Sequence, residues 1–273
     1  MTPIRRLLAT RPALLLSPLL LVVLIGLWAY ATRTFAVPEF ILPSPQKVFG
    51  ALWGGLTQPF DSPAGLWYHA GVTLLEAALG FILGCSAGAL AGLAVAHFRI
   101  VDQVMYPYII ALQSLPKIAL APLLVIWFGF GIEPKVLITS IITFFPLLVN
   151  TIAGYRAVDA ERIELARSFN ASALQIIWKI RLPSALPYIF AGLNIAAVLS
   201  LLGAIVGEFV GAQAGLGVLL LQYNTEMNIA GTYAVFIVLA LLGYSFHFTV
   251  QRLERYFCFW ARSGDVRDPG GQV

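Results

Sequence analysis

Charge is the scarcest property of this chain. Asp, Glu, Lys and Arg make up 11% of its 273 residues, while apolar side chains make up 59%. No water-soluble domain of that length presents such a balance without large exposed apolar patches. Cysteine and histidine are almost as scarce, at two and three. Cys85 lies inside one apolar stretch and Cys258 just past another, which argues against a structural disulfide. His69, His97 and His247 show no ligand spacing, which argues against a metal site. A Gly-x-x-x-x-Gly-Lys-Ser/Thr run is absent, so any use of ATP requires a nucleotide site on another polypeptide. The class that remains is an integral membrane protein.

Long apolar runs are what the chain has in quantity. A bilayer core of about 30 Å requires roughly 20 apolar residues per helix, and six stretches qualify: 13–30, 70–97, 105–130, 136–153, 186–207 and 229–248. Thirteen of the 17 Lys and Arg residues fall in alternate connecting segments, among them Arg99, Arg156, Arg162, Arg167, Lys179, Arg181 and Arg252. Basic residues are retained on the cytoplasmic side, so both termini are expected there. The net charge of +4 then reflects topology, not nucleic-acid binding. The expected layout is a cytoplasmic N-terminus at 1–12, a six-helix domain at 13–252 and a cytoplasmic tail at 253–273. A signal peptide is the alternative for the first stretch, since Arg5, Arg6 and Arg11 precede it, but its apolar run is longer than such peptides use.

Local signals add detail. In Leu42-Pro-Ser-Pro45, Ser44 suits an N-cap and Pro45 a first helical position. Val48, Phe49, Leu52 and Trp53 follow at helical spacing, as for a helix lying along the outer membrane interface or packed on the bundle. Gly80, Gly84, Gly88 and Gly92 recur every four residues and allow another helix backbone to come close. Pro116 and Pro122 predict a broken third span, tolerated where irregular backbone is buried or lines a pathway. Gln113, Ser114 and Lys117 cluster at the first break.

Glu76 and Lys117 are the two ionisable side chains counted well inside a span, and depth counting puts them at similar levels. They are expected to pair with each other or to contact a substrate in a translocation pathway, the alternative being a structural role. Glu208 and Glu226 fall at the outer ends of spans, where hydration is sufficient explanation.

Between the fourth and fifth spans, 159–168 and 172–179 read as two short helices. Asn170 suits a left-handed helix end, Ser172 with Gln175 forms a capping box, and Pro183 is expected to stop the second helix. Leu174, Ile177 and Trp178 form an apolar stripe that needs the bundle base or another protein's groove. Here the chain resembles the membrane permease subunits of binding-protein-dependent ABC importers, whose loop carries Glu-Ala-Ala, three residues, Gly, nine residues, Ile-x-Leu-Pro. Glu164, Ala166, Ile180, Leu182 and Pro183 match at that spacing, while Leu165 replaces Ala and Asn170 replaces Gly. It looks most like the permeases for nitrate, taurine, sulfonates, bicarbonate and pyrimidine precursors. The resemblance extends through Ala121-Pro-Leu-Leu-Val-Ile-Trp-Phe-Gly129, Phe145-Pro146 and Gly211-Ala-Gln-Ala-Gly-Leu-Gly217.

The resemblance implies an all-α, six-span type I importer fold in a bacterial inner membrane, with a coupling loop at 154–185. It also implies a second permease copy, two cytoplasmic ATPases that carry ATP and Mg, and a periplasmic or extracellular substrate-binding protein. This chain itself would bind no cofactor. Glu164 and Arg167 would meet the ATPase surface, and Leu174, Ile177 and Trp178 its groove. Gly211, Gly215 and Gly217, with Glu208, would form a tight turn facing the binding protein. The competing reading is an ion-coupled secondary transporter, disfavoured by the lack of a visible internal repeat.

Overall fold

A computed structural model describes residues 13–35 and 37–260. Among these every regular element is a helix. In chain order they are α1 (Ala13–Thr34), α2 (Pro45–Leu56), α3 (Leu66–His97), α4 (Arg99–Ser114), a 3₁₀ turn (Lys117–Leu120), α5 (Ala121–Phe128), α6 (Glu133–Arg156), α7 (Ala160–Ser168), α8 (Ala173–Ile176), a π turn (Ile177–Arg181), α9 (Leu182–Gly211), α10 (Leu216–Thr225) and α11 (Ile229–Phe257). Helices α3, α6, the continuous run Ala173–Gly211 and α11 are each long and apolar enough to cross a membrane. The pair Arg99–Ser114 and Lys117–Phe128, bent by 80°, is together long and apolar enough for a broken span or a re-entrant loop. The first expected stretch corresponds to α1, within which Pro18–Thr34 is a shorter apolar helix.

The described residues pack as two compact units. One contains the residues up to Tyr68 with Leu219–Val238, and the other contains His69–Val218 with the residues from Leu239 onward. In the first unit, Pro45 opens α2 after Ser44, whose extended backbone suits an N-cap although its hydroxyl makes no capping bond. Val48 is buried beneath α2 while Phe49 and Trp53 stack on its exposed side. The Trp28 indole N–H donates to Pro43 O at 3.1 Å, fixing the connection between α1 and α2.

In the second unit the glycine stripe explains the architecture. A Cβ on Gly84 would lie 2.8 Å from Ser140 Cα, and one on Gly92 would lie 2.8 Å from Thr151 Cβ. The stripe therefore seats α3 on α6 of the same chain. A second glycine face, on α9, meets α6 from another direction: Gly203 abuts Thr139, and Gly207 abuts Lys135. Helix α6 is thereby enclosed, and Thr139 and Thr143 on it are fully buried. Their hydroxyls donate to the carbonyls one turn back, Lys135 O and Thr139 O, at 2.8 and 2.9 Å. No polar hydrogen is left facing apolar surroundings at either threonine.

Two expectations about backbone have different outcomes. Helix α4 ends at Ser114 because Leu115, preceding Pro116, takes an extended conformation, and the chain turns there as expected. Pro183, in contrast, does not stop a helix. The chain widens into the π turn, with Leu182 N–H bonded to Ile177 O, and continues through Pro183 into α9. A proline in the first turn of a helical segment forfeits little, and the wider turn relieves its ring of the carbonyl four residues back.

Candidate functional site

The loop between α6 and α9 is built from local signals. After α7, Asn170 adopts φ 58°. Ala171 N–H donates to Ala166 O at 3.0 Å and Asn170 N–H to Arg167 O at 2.8 Å, the two bonds of a Schellman motif. The next helix starts in a reciprocal capping box, Ser172 N–H to Gln175 Oε1 at 2.8 Å and Gln175 N–H to Ser172 Oγ at 3.3 Å. The result is two short helices joined by a sharply defined turn.

Their apolar residues divide into two sets. Ile176 is buried, and half-buried Ile177 lines a cavity with Leu93, His97 and Tyr155 at the base of the bundle. The Arg181 guanidinium lies over the Tyr155 ring at 4.7 Å, and His97 Nδ1 is 2.7 Å from the Tyr155 hydroxyl. Leu165, Phe169, Leu174 and Trp178 face outward at 61, 79, 64 and 62% exposure. The sequence stripe of Leu174, Ile177 and Trp178 is therefore split: Ile177 turns toward the bundle with Ile176, while Leu174 and Trp178 project, Trp178 also lining that cavity. Phe169 escaped sequence reading because it sits in the turn, outside any helical period. Leu165, the departure from the loop pattern, adds its isobutyl group to the exposed surface and not to a core. Glu164 and Arg167 are exposed, Ala166 is half-buried, and Ile180, Leu182 and Pro183 are half-buried where the loop rejoins α9.

A second constellation is wholly buried. Glu76 of α3, 1% exposed, is ion-paired with Lys135 of α6, 7% exposed. This corrects the expected partnership of Glu76 with Lys117. Depth counting treated the third span as straight and assigned Lys135 to a loop. Instead, the break at Pro116 diverts Lys117, while Lys135 falls in the first turn of α6, where Gly207 leaves room for its stem. Glu208 is not hydrated and does not face outward: it is 1% exposed, accepts from Thr73 Oγ1 at 2.6 Å, and accepts from Gly217 N–H. Leu216 N–H donates to Thr73 Oγ1 at 2.8 Å and Gly215 N–H to His69 Nδ1 at 2.9 Å.

The turn between α9 and α10 is thus held from inside by three side chains. Gly215, at φ 128°, has no space for a Cβ because the Glu208 carboxylate fills it, and Gly217 is similarly close to Glu208. His69, Thr73 and Glu76 recur at i, i+4 and i+7, a one-face helical signal that was available in the sequence. Lys117 takes a different course: its ammonium donates to Gln113 O at 2.7 Å and lies 4.7 Å from the Phe145 ring centroid. Ser114 Oγ returns to Ile110 O at 2.9 Å.

Residues 80–257 match the family described as binding-protein-dependent transport system inner membrane component. The chain belongs to that family. It is 36% identical over 244 residues to a probable ABC transporter permease protein of Haemophilus influenzae, spanning 89% of this chain and 97% of that relative. It is 36% identical over 249 residues to the riboflavin transport system permease protein of Chloroflexus aurantiacus, spanning 90% of each. The formylaminopyrimidine transport permease protein of Halalkalibacterium halodurans is 32% identical over 245 residues, 89% of this chain and 95% of that one. Among solved structures, a methionine ABC transporter in an inward-facing conformation shares the fold, with TM-score 0.57 and 21% identity over 77% of this chain and 97% of that chain.

This permease is a multi-pass inner-membrane subunit of an ABC importer, and the reading as an ion-coupled secondary transporter is set aside by its relatives. It is not itself an enzyme: ATP hydrolysis takes place on a separate subunit. A substrate-binding protein and an ATPase are the partners this family implies.

Proposed function

We propose that this permease forms a substrate pathway with a second copy of itself and couples it to two cytoplasmic ATPases through residues 164–183. Both termini lie in the cytoplasm, 13–252 acts as the membrane domain, and the turn carrying Gly211, Gly215 and Gly217 faces the substrate-binding protein. The observation that carries the coupling assignment is the outward display of Leu165, Phe169, Leu174 and Trp178 on a loop whose turn and cap are rigidly specified. Four large apolar side chains exposed within 14 residues are the anchors of a helix-in-groove contact. Glu164 and Arg167 supply polar contacts around them, and no cofactor is bound by the permease.

Closure of the ATPase pair on ATP would move this loop as a unit, because Ile176, Ile177 and Arg181 tie it to α3 and α6. The π turn transmits the displacement into α9 without a flexible joint. Rocking of α9 and α6 then exchanges inward-open and outward-open states, with Gln113, Ser114 and Lys117 at the broken span on the pathway. Relatives are named for riboflavin, formylaminopyrimidine, aliphatic sulfonates and taurine, so the cargo here is a small organic molecule or small anion.

The test is co-purification with a cytoplasmic ABC ATPase from the same cells, together with ATP-dependent uptake into vesicles loaded with the binding protein. Glu164→Ala combined with Trp178→Ala removes an exposed carboxylate and a mostly exposed indole that also lines the Leu93 cavity, so permease yield should hold and the thermal midpoint shift little while ATPase association and uptake both fall. Retention of association and uptake in that variant sinks the coupling assignment.

A further inference from the structure

Two lysines on the apolar helices, Lys135 and Lys117, are in opposite situations. Lys135 is walled in and neutralised by Glu76, whereas Lys117 forms no ion pair among the described residues. An uncompensated ammonium at membrane depth is costly unless something of opposite charge or high polarity visits it. Lys117 opens onto a cavity of about 360 Å³, lined also by Gln113, Ile142, Phe145, Leu199 and Leu202.

We infer that this cavity is the permease's own binding site for a small organic anion, its acidic head on Lys117 and its apolar body against Phe145, Ile142, Leu199 and Leu202. The inference rests on the import reading above and narrows its cargo. Four observations support it. The Gln113 carbonyl and the Phe145 face hold the ammonium in place, so little side-chain freedom remains to be lost on binding. An ammonium has three donors, and the carbonyl occupies one, leaving two for a sulfonate or carboxylate. The volume lies at the small end of the roughly 300 to 1,000 Å³ typical of small-molecule sites. The lining offers little polar surface to a bare inorganic oxyanion: Gln113 and Lys117 aside, Ile118, Ile142, Phe145, Pro146, Leu199 and Leu202 are apolar. Apolar walls with one cation instead suit an anion that carries a short hydrocarbon part.

The experiment uses purified permease in phosphatidylcholine nanodiscs, with and without its ATPase. Butane-1-sulfonate is the anionic probe, butyl methyl sulfone its neutral counterpart and nitrate the inorganic competitor. Binding is read by saturation-transfer NMR against empty nanodiscs. Butane-1-sulfonate should bind, neither sulfone nor nitrate should displace it, Lys117→Met should weaken it roughly tenfold or more, and Lys117→Arg should stay within a few-fold. Leu199→Phe, which fills the cavity but leaves the ammonium, should also weaken the probe. No binding of butane-1-sulfonate, equal binding by the sulfone, displacement by nitrate, or indifference to both Lys117→Met and Leu199→Phe overturns the inference. The measurement needs no ATP and no binding protein. Probe binding without ATPase association would remove the import reading and leave the pocket, and the reverse result would do the opposite.

Discussion

Glu76 is enclosed by α3 and α6, and Lys135 is the cation within reach of it. Removing one member of such a buried pair strands the other charge in a medium that solvates it poorly, a loss of about 3–5 kcal/mol in soluble proteins. Lys135→Met should therefore lower the thermal midpoint of the detergent-purified permease sharply, with Glu76→Gln alone doing the same to a lesser degree because the amide keeps a hydrogen-bonding group. The double variant should regain part of the loss, since Glu76 and Lys135 no longer strand each other, while buried Glu208 loses the nearby cation and keeps only Thr73 and the Gly217 N–H. If the double variant is as unstable as the sum of the two single ones, the pair is not a unit. At this scale the sequence was a partial guide. It marked Glu76 as a buried charge in need of a partner and chose the wrong lysine, because partnership was decided by Gly207, a residue 72 positions from Lys135 whose missing side chain leaves the space for its stem. The inward turn of Glu208 was equally hidden, since it depends on Gly215 and Gly217 folding back over it.

At the level of elements, the permease is organised around α6, which receives one glycine face from α3 and another from α9. The first face was legible because four glycines at intervals of four have a single meaning on a helix. The identity of the helix received was not, since α6 carries no glycine repeat there and meets the glycines with Thr139, Ser140, Thr143 and Thr151. Gly84 and Gly71 lie on the same helix and make a controlled comparison. A methyl group on Gly84 would press on Ser140 backbone, whereas one on Gly71 meets nothing within 4 Å. Gly84→Ala should destabilise by about 1–3 kcal/mol through overpacking, while Gly71→Ala should be neutral or stabilise by about 0.5–1 kcal/mol through helix propensity. Thermal unfolding in one detergent measures both. Equal effects would show that α3 does not rest on α6 through this stripe. The loop between α6 and α9 was the most legible element, because Asn170, Ser172 and Gln175 act on their own neighbours in the chain. The passage through Pro183 was misjudged for the converse reason: a π turn has no sequence signature, and the packing of Ile176 and Ala185 holds the chain helical across it.

For the whole permease the topology itself is open to measurement. Helix α9 has 30 residues, hence about 45 Å of rise against a hydrocarbon core of about 30 Å. It therefore separates the loop at one end from the Gly211 to Gly217 turn at the other by more than a bilayer core. Basic residues crowd the loop end, with Arg162, Arg167, Lys179 and Arg181, and the positive-inside rule places them in the cytoplasm. Both native cysteines are free and buried, so Cys85→Ala with Cys258→Ala gives a background for single reporters. Ser168→Cys and Gln213→Cys, both at exposed positions, then mark the loop before α9 and the turn after it. A membrane-impermeant maleimide added to intact spheroplasts should label Gln213→Cys and spare Ser168→Cys, and inverted vesicles should give the reverse. Labelling of Ser168→Cys from outside would invert the orientation and remove the loop from any cytoplasmic ATPase. The coupling assignment would then fall however well its residues fit a partner's groove.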